Sequence, residues 1–101
     1  MGRFAEAIES YKRAVALKPS YSTAHYNCGL AYVKSGLFDN AIDSFNTFIE
    51  MKPDYGEAYL SRGKVYLETG NKARALSDFQ KACSLMNEGG CKALHDMESR
   101  P

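Results

Sequence analysis

The chain is poor in what would mark several functional classes. Three cysteines in 101 residues are too few to define a disulfide scaffold, and an odd number leaves at least one unpaired within a monomer. Basic residues (13) and acidic residues (12) nearly cancel, leaving a net charge of +1. That balance excludes bulk electrostatic attraction to nucleic acid or to an anionic membrane. No apolar run approaches the ~20 residues needed to span a bilayer, so no membrane insertion is expected. The opening stretch MGRFAEAIES places Glu6 and Glu9 where a signal peptide would carry its apolar region. Catalytic signatures are missing too: there is no paired-carboxylate, Ser/His/Asp or phosphate-cradling glycine pattern. No enzymatic activity, cofactor or metal is therefore expected. What remains, 45% hydrophobic and 25% charged, is the composition of one globular domain.

Internal self-similarity organises the rest. Gly2, Gly36 and Gly70 are 34 residues apart, as are Phe4, Phe38 and Lys72; Ala7, Ala41 and Ala75; Tyr11, Phe45 and Phe79; and Leu17, Met51 and Leu85. Pro19 is matched by Pro53, Ala24 by Ala58, Gly29 by Gly63 and Tyr32 by Tyr66 in the same register. Each unit reads as two helices. Ala24, Cys28, Ala31 and Tyr32 recur at helical spacing up to Ser35, and the Gly36 region breaks the pattern. Ala41, Ile42, Phe45, Phe48 and Ile49 repeat it from Phe38 to Met51, after which Pro53 prevents continuation. The next unit reads as helices over roughly Gly56–Thr69 and Asn71–Leu85. Asp54 with Glu57 has capping-box spacing, and Asn71 is an N-cap candidate.

The repeated glycines carry a packing message. Gly29 and Gly63 sit mid-helix, where glycine costs ~1 kcal/mol relative to alanine. A cost repeated at one register position implies close approach by another helix. Ala41 and Ala75 are the small residues placed to meet it, with Tyr32, Phe45, Tyr66 and Phe79 filling the space alongside. A two-helix unit this short cannot bury its own apolar face, so neighbouring units must stack.

This pattern resembles the tetratricopeptide repeat, whose motif runs aromatic, Leu-Gly, Tyr, then Ala and Phe on a second helix, closed by Pro. His25, Cys28-Gly29, Tyr32, Ala41, Phe45 and Pro53 stand in that order, followed in the next unit by Tyr59, Arg62-Gly63, Tyr66, Ala75 and Phe79. The departures are the lack of tryptophan, Cys28 and Arg62 in the usual Leu slot, and Asn87 where the last proline belongs. Arg62 is expected to run its stem along the core and hold its head in solvent. The resemblance implies an all-α fold: stacked antiparallel helix pairs forming a right-handed solenoid with a short C-terminal capping helix. The divisions are 1–19, the second helix of a truncated repeat; 22–55 and 56–89, full repeats; and 90–101, the capping helix and tail. The chain therefore reads as a piece of a longer array. Phe4, Ile8, Tyr11 and Val15 would bury one face of the first helix, and its orphan face is expected to pack against a second copy of the chain.

In this family the first helices of successive units line a concave wall that binds peptides or partner helices. Carried over residue by residue, that wall would comprise Thr23, Tyr26, Asn27, Leu30, Val33 and Lys34, then Glu57, Leu60, Ser61, Lys64, Leu67 and Glu68. Helical periodicity independently places these off the core stripe and leaves them exposed. The expected function is a non-catalytic scaffold that binds a peptide or helix of a partner protein, with self-assembly and thiol-based redox sensing as alternatives. The chaperone-tail clamp of one subfamily does not fit. Asn27 matches one of its asparagines, but Glu57 and Ser61 stand where its cations belong, and a bound carboxylate would go uncompensated. His25 and Cys28 read as packing residues.

Cys83 and Cys91 admit three readings. With His95 one turn on, they would offer three ligands where zinc takes four. As a catalytic redox pair their spacing is too long for Cys-x-x-Cys. As a staple they would join the end of one helix to the start of the next across a turn at Asn87–Gly90. A second resemblance bears on the choice: Sel1-like repeats of secreted bacterial proteins carry Lys-Ala-Cys, seven residues, then Cys, bridging consecutive helices. Lys81-Ala82-Cys83 and Gly90-Cys91 match that arrangement. It implies a disulfide, and with it a periplasmic or secreted location; unbonded cysteines would instead suit the cytoplasm. After Cys91, Ala93, Leu94 and Met97 fall on one side of a short amphipathic helix.

Overall fold

A computed structural model describes residues 2–18 and 20–99, with side chains from residue 6 onward. Among the described residues every regular element is helical. Six helices follow in order: α1 (Gly2–Leu17), α2 (Ser22–Lys34), α3 (Phe38–Met51), α4 (Gly56–Glu68), α5 (Lys72–Ser84) and α6 (Glu88–Glu98). The fold is an all-α helical repeat, divided into two units, residues 1–53 and 54–101. The C-terminal helix begins at Glu88 rather than Gly90, inside the span read from the sequence as the second full repeat.

In the first unit α2 packs on both α1 and α3. Its core holds Ile8, Ala24, Cys28, Ala31, Tyr32, Ala41, Phe45 and Phe48, all buried. Tyr11 and Val15 are half-buried beside Ile8, and the side chain of Phe4 lies outside the described set. Gly29 is where α2 and α3 touch. A Cβ there would stand 2.5 Å from Cε1 of Phe45, so the ring occupies the space that any other side chain would need. In the second unit a Cβ on Gly63 would meet Cε1 of Phe79 at 2.7 Å. Ala41 and Ala75 are fully buried as expected, but the atoms nearest the two glycines belong to the phenylalanine rings.

The turns repeat as closely as the core. Gly36 (φ +76°) donates its N–H to Val33 O, and Leu37 reaches back to Tyr32 O; Gly70 (φ +84°) and Asn71 do the same toward Leu67 O and Tyr66 O. The link from α5 to α6 uses this turn again, with Met86 at φ 67° in the glycine position, donating to Cys83 O, and Asn87 to Ala82 O. The Gly89-Gly90 pair is thus not the turn: both residues lie in the first turn of α6. Capping divides similarly. Asn71 caps α5, its side chain accepting from Arg74 N at 3.3 Å, and Asn87 caps α6, accepting from Gly90 N at 2.7 Å. Asp54 does not cap α4. The extended residue before that helix is Tyr55, which leaves Asp54 one position too early for its carboxylate to reach the first-turn N–H groups.

Candidate functional site: the first-helix faces

The first helices α2 and α4 carry the twelve residues assigned to the wall, and the structure separates them. On α2, Thr23 and Lys34 are exposed, Leu30 is 36% exposed, and Asn27 and Val33 are half-buried. Tyr26 departs from the expectation: its ring lies 5.6 Å from that of Phe45 and 5.1 Å from that of Phe48, tilted against both, so it extends the aromatic core. On α4, Glu57, Lys64, Leu67 and Glu68 are exposed and Ser61 is half-buried. Leu60 is a correction. It is buried, because α6 begins early enough for Gly89 to lie against its Cδ2 methyl.

Three wall residues gather at one cavity. Asn27, Leu30 and Lys34 of α2, together with Ala31, face Ala7 and Tyr11 of α1 around a cavity of about 500 Å³. Ala7, Leu30 and Ala31 make part of the lining apolar, and Asn27, Tyr11 and Lys34 add an amide, a hydroxyl and an ammonium. This mixture suits an apolar anchor flanked by a hydrogen-bonding or anionic group. Register conceals Ala7 and Tyr11, since their counterparts Ala41, Phe45, Ala75 and Phe79 are all buried to 1% exposure or less.

Arg62 overturns its expectation. Its Nη2 lies 2.7 Å from Oδ1 of Asp78 and its Nε 2.9 Å from Oδ2, a bidentate pair in which the two side chains are only 20% and 6% exposed. The hydrogen bonds to Asp78 push the guanidinium further up from its already high range, against the opposing effect of burial. Its carbon also stands 5.7 Å from the Tyr59 ring centre and 5.8 Å from that of Tyr66. Sequence comparison held the clue. In register, Arg62 replaces Cys28 and Asp78 replaces Ser44, so the two charges enter together.

Cys83 and Cys91 are bonded to each other, with Cα atoms 4.4 Å apart, which removes both from metal ligation; Cys28 is a buried free thiol. No cluster of three or more His, Cys, Asp or Glu residues able to hold a metal occurs among the described residues. Nor is any described helix long and apolar enough to cross a membrane. Tyr32 has its hydroxyl pKa raised, first by burial and then by the neighbouring Cys28.

Comparison with known proteins agrees with the repeat. No curated protein sequence matches the chain. Solved structures do. One described as the crystal structure of MamA superposes with a TM-score of 0.81 at 34% identity, covering 85% of this chain and 50% of its own. The chain thus spans about half the length of the MamA structures it matches. At 23% identity, YrrB, described as a TPR protein with an unusual peptide-binding site, shares the fold with a TM-score of 0.85 over 91% of this chain and 48% of its own. The first TPR of Spaghetti (RPAP3), solved with an HSP90 peptide, does so with a TM-score of 0.88 at 22% identity, over 96% and 79% respectively. Family models described as TPR repeat and tetratricopeptide repeat match residues 1–36 and 29–85, and proteins of this kind are in general non-catalytic interaction scaffolds. With the glycine–phenylalanine contact, the glycine turns and the 34-residue register all in place, the chain belongs to the tetratricopeptide repeat family.

Proposed function

We propose that the chain is a protein-interaction scaffold that takes a peptide or helix of a partner protein on the exposed faces of its first helices. The cavity between α1 and α2 carries this reading, because it brings Asn27, Leu30 and Lys34 together with the apolar Ala7 and Ala31. Leu30, Ala31 and Ala7 offer an anchor site for one apolar side chain. Lys34 and Asn27 offer charge-assisted and neutral hydrogen bonds to a partner carboxylate or backbone. On α4, Lys64, Leu67 and Glu68 present a second exposed face of mixed character. Tyr26 is half-buried against the Phe45 and Phe48 rings and Leu60 is buried, so substituting them would confound binding with stability.

The test is capture of partners from native lysate with the chain and with a Leu30→Glu, Lys34→Glu double variant, both checked for unchanged helicity. A captured protein must lose at least about tenfold in affinity for the variant when remeasured as a purified pair. Equal affinity for both forms would remove the cavity from the reading. Self-assembly is favoured as a second reading by one observation: Ala7 and Tyr11 are half-exposed where their register mates are buried. Another copy's helix covering that face would raise the mass seen in light scattering with concentration, whereas a strict monomer at high concentration would discard this second reading.

A further inference from the structure

We infer that the Cys83–Cys91 bridge is a redox-operated latch: bonded, it holds α6 across Leu60 and Ala82, and reduced, it releases α6 and uncovers that patch. The inference starts from how shallowly the residues of α6 itself are buried. This helix has 11 residues, and Gly90 alone among them is buried. Ala93, Leu94 and Met97 are only half-buried. Isolated helices of this length are marginal in water, and glycine is the weakest helix former after proline, yet two stand together in the first turn.

Those glycines are there because the first turn of α6 lies directly on its neighbours. A Cβ on Gly89 would fall 2.7 Å from Cδ2 of Leu60, and one on Gly90 would run into the Ala82 methyl and stand 3.0 Å from the Cys83 nitrogen. The covered residues are therefore Leu60, 6% exposed, and Ala82, fully buried. Leu60 occupies the register position of Tyr26, on the side of the first helix expected to face partners. The start of α6 is also tied by the Asn87 cap and by an exposed hydrogen bond from Asn87 Nδ2 to Oε2 of Glu57 at 3.2 Å. The preceding turn carries Met86 at φ 67°, a conformation that L side chains adopt reluctantly. An apolar face left half-buried and an exposed polar anchor are the marks of a segment that opens locally.

The opening step consumes a dithiol reductant. One of its thiolates attacks a sulfur of the bridge, forming a mixed disulfide and releasing the other cysteine, which takes up a proton. The reductant's second thiol then displaces the remaining cysteine sulfur, closing its own disulfide. Two electrons and two protons enter the protein, and both cysteines become thiols. Cys83 and Cys91 are each half-buried, so the bridge is within reach of a small reductant.

Hydrogen–deuterium exchange of the whole chain, with and without excess dithiothreitol, tests the latch without any partner, so its outcome is independent of the scaffold reading. The amides of residues 88–98 should exchange about 50- to 100-fold faster after reduction, the factor expected from losing closure of so short a loop, while those of α4 and α5 stay protected. A Cys83→Ser, Cys91→Ser variant should reproduce the reduced pattern without reductant. If it does not fold, the reduced natural chain decides alone. Exchange of α6 unchanged by reduction would overturn the latch, as would equal loss of protection in α4 and α5, which would make the bridge a staple for the whole unit. For the uncovered patch the probe is 8-anilinonaphthalene-1-sulfonate. Its fluorescence should rise on reduction, and less so in a Leu60→Ser variant; no rise would overturn the exposure of Leu60.

Discussion

The Arg62–Asp78 pair allows a quantitative test of how the second unit is held together. Replacing Arg62 with Leu leaves a carboxylate only 6% exposed without its cation and without two donors. Breaking a buried ion pair from one side costs roughly 3–5 kcal/mol, and the low end applies because the Arg62 end of the site still touches water. Replacing Asp78 with Ser is milder, about 1–2 kcal/mol, since the guanidinium can swing outward on its long stem. The double variant Arg62→Leu, Asp78→Ser recreates an apolar–hydroxyl pairing like that of Cys28 and Ser44. It should cost only about 1–2 kcal/mol, chiefly from the lost guanidinium contacts with Tyr59 and Tyr66. Those ring contacts vanish in both Arg62 variants and cancel in the cycle. The coupling energy should therefore be about 2–3 kcal/mol. Urea unfolding at pH 7 with the disulfide intact measures it from the four midpoints, provided the slopes agree. Single effects that add to within about 0.5 kcal/mol would refute the pair as a coupled unit and return Arg62 to the role of a solvated side chain.

Three further outcomes follow from packing and titration. Gly29→Ala should destabilise by about 1–3 kcal/mol by thermal unfolding, because the clash with the fully buried Phe45 ring outweighs the helix-propensity gain of ~1 kcal/mol; a higher midpoint would show that the ring can yield. Met86→Gly should stabilise by about 0.5–1 kcal/mol, since the side chain is 87% exposed and its backbone sits at φ 67°; a loss of stability would mean that the methionine contributes contacts of its own. Tyr32 has a raised pKa in the folded chain, so its neutral form is favoured there. Its contribution is complete below pH ~10 and is lost as pH rises through the folded value, giving a steeper alkaline decline in stability than a Tyr32→Phe variant shows.

The repeat was legible because its causes are local and recur. A glycine that must admit a phenylalanine ring, and a glycine that must adopt positive φ, each appear twice at the same offset, and that offset carries the helix order and the core with it. Two of the misreadings depend on the one place where the period fails. With α6 beginning at Glu88, Gly89-Gly90 becomes a helical contact surface, and Leu60, exposed by periodicity alone, becomes buried. Ala7 and Tyr11 were hidden by the opposite effect, since matching their register to buried residues hides the cavity they line. The partner of Arg62 could have been found by asking which second-helix residue departs from its own counterpart, because a buried cation needs a compensating change nearby. Asp54 shows the limit of motif spacing: a one-residue difference in where the helix starts deprives a carboxylate of its N–H partners.

The Leu85–Asn87 turn has a consequence for how the chain is counted. By its 34-residue period the sequence contains two complete repeats and parts of others. By their tight left-handed turns the described residues form three hairpins: α2–α3, α4–α5 and α5–α6. Helix α5 therefore belongs to two hairpins at once, ending the one built on Gly70 and beginning the one built on Met86. An insertion at Pro53 would lengthen a link between hairpins, whereas one at Met86 would cut through a hairpin. Grafting a further repeat after α5 would thus require restoring the Lys-Pro linker that α3 uses, since the present turn commits the chain to folding straight back.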